Sequence, residues 1–276
     1  MSTFLVTGAS GSMGSESTKS LATQGNHVIM ACRNLDKGEK TRQSILQQHP
    51  NAQLTLLKLD LSQLESVRCA TLEVAKILQN DNVLLDGIFN NAGIINRDFR
   101  LTQDGYENTL QVNFIGPALL TLSLMPYTKD NAHIVNMVSL TCRFGKIDEK
   151  LFEKTKKDFS QLGTYSDTKL ALLLFSIALY RHRESLGKPD IYINVADPGV
   201  VNSNMISMGR WFDRLADILF RPLCSSPVKG VAPALRALST SDNCAYFVGK
   251  KQPPINRRYL NDTHIEWIWS KIQKML

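Results

Sequence analysis

The feature that most restricts the fold is an alternation. Short runs rich in β-branched and aliphatic residues recur along the chain, each followed by a helix-sized piece. Residues 4–7, 27–30, 54–59, 86–89, 133–138 and 191–195 read as strands. Between them, residues 14–24, 36–48, 61–78, 102–125 and 165–186 read as helices. Strands that are apolar on both sides and separated by crossover helices form a parallel sheet covered on both faces. Right-handed crossovers bring the C-terminal ends of all strands to one edge, where such sheets bind ligands. The expectation is an α/β fold: one doubly wound domain spanning 1–276, with a mostly parallel seven-stranded sheet and residues 245–248 as the last strand.

The remaining composition narrows the function. The chain has 276 residues, with 32 basic against 25 acidic, a net charge of +7. Its basic stretches at 150–157 and 250–258 contain acids or prolines, so they read as solvated surface and predict no nucleic-acid partner. Five scattered cysteines and five scattered histidines form no CxxC pair and no metal-ligand spacing, which predicts neither metal nor disulfide framework. Residues 1–10 carry no basic n-region, and no apolar stretch approaches 18 residues. A cytoplasmic protein without a transmembrane segment is expected.

Two segments of the last third stand out. Residues 203–225 carry Met205, Ile206, Met208, Trp211 and Phe212, and are placed to form a lid over a hydrophobic substrate pocket. A core or dimer helix is the equal alternative. Residues 263–276 predict an amphipathic helix capped by Thr263, with Glu266 as capping-box partner. Ile265, Ile268, Trp269, Ile272, Met275 and Leu276 share its apolar face. That face fits docking on the chain's own core or a partner subunit better than peripheral contact with a membrane.

Thr7-Gly-Ala-Ser-Gly-Ser-Met-Gly14 lies between the first strand and the first helix. Glycines there let the backbone approach a pyrophosphate, which the helix N–H groups and dipole stabilise. Gly8, Ser10, Gly11, Ser12, Met13 and Gly14 are therefore candidate cofactor contacts, and the sheet becomes a Rossmann-like one. At the end of the second strand, Arg33 and Asn34 precede any acid. A planar guanidinium suits a 2′-phosphate, so NADP(H) is preferred over NAD(H), although a lone arginine there is also an ordinary surface residue. Tyr165 and Lys169 are four apart on one helix face; the ammonium should lower the phenol's pKa toward working pH and suit it to general acid–base catalysis.

With these in place, further motifs give a specific likeness: Asp60, Asn90-Asn-Ala-Gly93, Asn113 within Gln111-Val-Asn-Phe-Ile-Gly116, Ser139, and Asp197-Pro-Gly-Val-Val201. Over about residues 3–250 the chain resembles a classical short-chain dehydrogenase/reductase. Ala31-Cys-Arg-Asn34, Lys37-Gly-Glu39, Leu101-Thr-Gln-Asp-Gly-Tyr-Glu107 and the long spacer from Ser139 to Tyr165 resemble its retinol-dehydrogenase-like branch. The resemblance implies a catalytic set. Tyr165 would donate and accept the proton, Lys169 would tune it and bond the nicotinamide ribose, Ser139 would hold the substrate oxygen, and Asn113 a relay water. Asp60, with Leu61 beside it, would meet the adenine, while Asn91, Ala92 and Gly93 would line the cleft. Pro198, Gly199, the Val201 backbone and the Ser203 hydroxyl would sit by the nicotinamide amide. Taken singly, Ser139 and Asn113 would equally serve to satisfy backbone groups, and Asp60 to cap a helix. The resemblance also implies a homodimer or homotetramer.

Two positions depart from the pattern. The usual turn is TGxxxGxG, whereas here Ser12 stands at the middle glycine and the spacing is TGxxGxxG. Asp197 stands where this branch commonly has His. The leading expectation is an NADP(H)-dependent oxidoreductase that interconverts an alcohol and a carbonyl on a lipophilic small molecule. A non-enzymatic NADP(H)-binding sensor or scaffold is the alternative. A nucleotide-sugar epimerase or dehydratase fits the glycine spacing but needs a larger C-terminal part.

Overall fold

The computed structural model describes residues 1–199 and 226–276. The lid expected at 203–225, Val201 and Ser203 all lie outside the described residues. Seven strands form one sheet: β1 (Thr3–Thr7), β2 (His27–Cys32), β3 (Gln53–Lys58), β4 (Leu85–Asn90), β5 (Thr128–Met137), β6 (Tyr192–Asp197) and β7 (Tyr246–Val248). Their order is β3-β2-β1-β4-β5-β6-β7, and every adjacent pair is parallel. The chain winds outward from β1 to β3, then returns to β4 beside β1 and winds the other way. The reversal between β1 and β4 is the point at which such sheets open a ligand crevice.

Strand residues alternate between two cores, which explains their unbroken apolar runs. Phe4 and Val6 face Leu21 of α1 (Ser12–Thr23) and Ala234 of α7 (Pro227–Ala237). Leu5 faces the opposite core, built by α3 (Leu64–Asn80), α5 (Gly116–Leu124), α6 (Gln161–His182) and α8 (Asp262–Gln273). All of β1 and β2 is buried. Helix α2 (Leu35–Gln48) flanks the β2–β3 edge.

Helix α6 is long and apolar enough to cross a membrane by length and composition. Yet 83% of that window is buried inside the protein, so it is the central core helix. The contiguous apolar run stayed short because polar residues such as Lys169 and Ser176 interrupt it. The amphipathic C-terminal helix α8 docks on α6 of its own chain. Ile265, Ile268 and Ile272 are buried, each contributing about 1.5–3 kcal/mol. The Trp269 ring stacks on His182 with centroids 4.5 Å apart, and Glu266 accepts from His182 Nε2 at 2.9 Å.

Two local expectations need correction. The cap of α8 is Asn261, whose Oδ1 accepts from His264 N at 3.1 Å, rather than Thr263. The helix expected from residue 102 begins only at α4 (Asn108–Leu110). Before it the chain makes a tight turn, with Gly105 at φ +86 and an antiparallel bridge between Leu101 and Glu107. Glu107 then caps α4 by accepting from Leu110 N at 2.8 Å. Between α4 and α5, residues Gln111–Ile115 form a π-helical turn.

Candidate active site

A cleft of about 630 Å³ opens where the sheet reverses. Gly8 leaves β1 with φ +64, a conformation that side-chain-bearing residues seldom adopt. A Cβ on Gly14 would fall 2.1 Å from Gly8 O, so the first turn of α1 lies directly on the loop. Gly11 caps α1 without a side-chain hydrogen bond. The helix's opening N–H groups, which have no intrahelical acceptor, are thus available at the cleft. Ser12 is exposed on the cleft's lip, where its side chain has room. Gly11 is less constrained than Gly14, its nearest contact to a Cβ being 3.3 Å.

The opposite wall comes from the segment after β4. Thr7 Oγ1 accepts from the N–H groups of Asn91 and Ala92, both at 3.0 Å. Asn91 Nδ2 donates to Thr7 O at 2.9 Å, while its Oδ1 is buried with no partner among the described residues. An orphaned acceptor on the wall, unpaired helix N–H groups and a glycine cradle are the features a bound dinucleotide would satisfy. At the far end Arg33, Asn34 and Lys37 line the cleft. Asn34 also caps α2, accepting from Lys37 N at 2.8 Å. Asp60 lines the cleft beside Leu61, and its Oδ1 is engaged by Ser62 N at 3.0 Å and Ser62 Oγ at 2.6 Å.

At Gly93 the cleft meets Lys169 and Asn113, two of the four candidate catalytic residues. A Cβ on Gly93 would stand 3.4 Å from Lys169 Nζ and 3.5 Å from Asn113 Oδ1. Asn113 lies in the π-helical turn. Its side chain accepts from Ile94 N at 2.8 Å and donates to Ile94 O at 2.9 Å and Thr168 Oγ1 at 3.2 Å. Ser139 follows β5, and its hydroxyl favours the ionised form of the Tyr165 phenol. Lys169 Nζ sits 5.8 Å from the centroid of the Tyr165 ring. The spacer from Ser139 to Tyr165 is tied to α6 by Lys154 and Asp167, an ion pair of 2.7 Å with little exposure on either side.

The electrostatics differ from expectation at Tyr165. Burial raises the phenol's pKa, and the Ser139 hydroxyl offsets only part of that rise. The expected fall is therefore reversed, because desolvation of the phenolate outweighs any benefit from the lysine. Lys169 is buried as well, and burial lowers its pKa to about 8, with Cys142 and Asp197 acting in the opposite sense.

Most candidate residues converge on this cleft or its inner end. Pro198 and Gly199 follow β6 at the same sheet edge without lining the cleft. The lining residues not anticipated are Lys37, Leu59, Ile94 and Val112. A usable signal existed for Lys37: a second cation four positions after Arg33, in the first turn of the next helix. Ile94 and Val112 adjoin Gly93 and Asn113, but an apolar side chain beside such motifs gives no chemical cue to a lining role.

Residues 2–210 match the family model described as short chain dehydrogenase. The chain is 34% identical over 212 residues to the Short-chain dehydrogenase TIC 32 B, chloroplastic, of Brassica napus, covering 74% of this chain and 65% of that protein. It thus spans just under two thirds of the length of that relative. It is 31% identical over 266 residues to Retinol dehydrogenase 12 of Homo sapiens, covering 96% of this chain and 78% of that one. Among solved structures, an uncharacterised protein from Mycobacterium Paratuberculosis superposes with a TM-score of 0.78 at 26% identity, covering 99% of this chain and 92% of that one.

Proposed function

The chain belongs to the short chain dehydrogenase family, and from that premise we propose that it interconverts an alcohol and a carbonyl, using NADP(H) in preference to NAD(H). The observation that carries this reading is the meeting at Gly93, where the glycine-lined cleft abuts Lys169 and Asn113. Gly8, Gly11 and Gly14 with the start of α1 would hold the pyrophosphate, Asp60 the adenine end, and Asn91 the inner half of the cofactor. When bound, that cofactor supplies or takes up the hydride. Arg33 and Lys37 together support the 2′-phosphate preference, since two cations at one end of the cleft offer charge-assisted contacts to a dianion.

The chain's own residues account for the proton. Ser139 and Tyr165 hydroxyls would hydrogen-bond the substrate oxygen, where negative charge grows as a carbonyl is reduced. A buried phenol keeps its proton at neutral pH, so Tyr165 enters as the donor at its Oη. The Lys169 ammonium then stabilises the phenolate left behind. Asn113 holds the Ile94 backbone and so fixes the floor beneath them. A lipophilic substrate agrees with the exposed apolar Leu140, Phe144 and Leu162, which lie within five positions of Ser139 or Tyr165 in the sequence. Location in the cytoplasm belongs to the same reading and agrees with the free thiols of Cys32, Cys69, Cys142 and Cys244.

Fluorescence titration with NADPH and NADH, followed by turnover of an aldehyde and ketone panel, tests the proposal. Tighter binding of NADPH is expected, with turnover that falls at least about 100-fold in Tyr165→Phe. Binding without turnover on any carbonyl would overturn the enzymatic reading.

A further inference from the structure

Asp197 is a buried carboxylate for which the proposed reaction has no use. It ends β6 with 1% of its surface exposed. Its Oδ1 accepts from Gly199 N at 2.8 Å, and its Oδ2 accepts from the Tyr246 hydroxyl at 2.7 Å. Both donors are uncharged. The ion pairs among the described residues do not include it. A carboxylate in such a place is costly unless some opposite charge compensates it.

Lys169 has the complementary problem. It is an ammonium buried to 2% exposure whose hydrogen bond goes to a neutral carbonyl, Met137 O, at 2.8 Å. Met137 pairs in register with Ala196, and Val138 N donates to Ala196 O at 2.8 Å. The lysine's acceptor and Asp197 are therefore neighbours across the β5–β6 ladder, whose strands lie about 4.8 Å apart. The groups gathered around them are Tyr165 and Lys169 from α6, Cys142 after β5, Tyr246 from β7, and Tyr259 from the short turn Arg257–Tyr259. Arg143 and Arg258 act on Tyr259, leaving Lys169, among the described residues, as the cation of the inner cluster. Two anions would hold Lys169 in its charged form, Cys142 more strongly and then Asp197. The Cys142 thiol, however, is pushed up to about 12 by burial and carries no charge at neutral pH. Among the described residues, Asp197 is the anion that remains.

We propose that Asp197 is a positioning residue for the Tyr165–Lys169 pair, its carboxylate being the fixed counter-charge that keeps the buried Lys169 an ammonium. The Pro198–Gly199 turn, with Gly199 at φ +69, and Tyr246 together hold that carboxylate in place. The role in catalysis rests on the oxidoreductase reading, whereas the charge relationship stands without it.

The test is a ¹³C NMR titration of the lysine side chains in the full-length chain, with the Lys169 signal assigned by its loss in Lys169→Met. Asp197→Asn keeps size and shape: its Oδ1 still accepts from Gly199 N, and its amide can donate to Tyr246 Oη. Its Lys169 midpoint is expected to fall by about one unit, with the pH profile of turnover moving the same way. At pH 7 the charged fraction would drop from about nine tenths to about one half. Asp197→Ser, whose hydroxyl can also accept from Gly199 N, is the second neutral variant should the first fold poorly. Tyr246→Phe retains the charge and is expected to leave the midpoint in place. An unmoved midpoint in the neutral variants overturns the proposal. So does an equal shift in Tyr246→Phe, which would mean that packing rather than charge was responsible. If the unaltered chain turns over no carbonyl, the oxidoreductase reading fails while the titration still decides the role of Asp197.

Discussion

Lys169 Nζ donates to the carbonyl oxygen of Met137 at 2.8 Å, joining the middle of α6 to the last residue of β5. The bond holds the ammonium in position without neutralising it, so its burial remains a cost to the fold. Lys169 has its pKa lowered to about 8, against roughly 10.4 in an unfolded chain. Between those values the unfolded chain binds more protons, and stability rises with pH; below pH 8 the penalty is present in full. Relative to Lys169→Met, the natural chain should gain roughly 2–3 kcal/mol between pH 7 and pH 10. Urea unfolding midpoints for both proteins across that range measure the difference. Parallel pH dependences would mean that the ammonium is better solvated than its burial implies.

The glycine turn makes a graded prediction. Gly14→Ala places a methyl group 2.1 Å from Gly8 O, a backbone contact that cannot relax cheaply. It should lower stability by about 1–3 kcal/mol or more and abolish nucleotide binding. Gly11→Ala meets its nearest atom at 3.3 Å and should bind more weakly but remain folded. Ser12→Gly changes an exposed residue at the lip and should alter affinity by no more than about twofold. Calorimetric titration of the three variants with NADPH separates these cases. A large gain from Ser12→Gly would show that the serine narrows the site.

Cofactor preference should follow two cations rather than one. Arg33→Ala and Lys37→Ala should each weaken NADPH binding by about 10- to 100-fold, the range for a charge-assisted hydrogen bond. NADH binding should change little in either. The double variant should bring the two nucleotides to similar affinity. If Lys37→Ala leaves NADPH binding untouched, the lysine is simply a solvated residue of α2.

The parts of this site that were legible in the sequence are those written in consecutive residues. The glycine turn, Arg33 at a strand end and the Tyr165–Lys169 spacing are each local, and each lies where expected. Relationships between distant residues were not legible. Tyr246 meets Asp197 across 49 positions, and nothing near either residue announces the other. The direction of the Tyr165 pKa shift failed for a related reason: spacing puts an ammonium nearby, but only the packed helix shows how little water reaches the phenol. Strand β5 begins at Thr128 rather than near residue 133 because its first half carries the exposed Asp130 and Asn131. An exposed strand end leaves no apolar pattern to read. The cap of α8 was misassigned because Asn261 and Thr263 both suit such a position, and only geometry distinguishes them.

The π-helical turn at Gln111–Ile115 changes how the helix containing Asn113 reads as a sequence. In an α-helix each residue advances the side chains by about 100°, since a full turn takes 3.6 residues. A π turn admits one residue more than that rhythm allows. The stretch before it and the stretch after it therefore keep different phases along one axis, like two rulers laid end to end with their marks offset. Asn113, at the joint, turns its amide to the Ile94 backbone, while Leu110 on one side and Ala118 on the other remain in the core. A single-residue deletion within Gln111–Ile115 would bring the two stretches back into phase. It would rotate α5, nearly all of whose residues are buried, and so give each of them new packing partners without altering any of them.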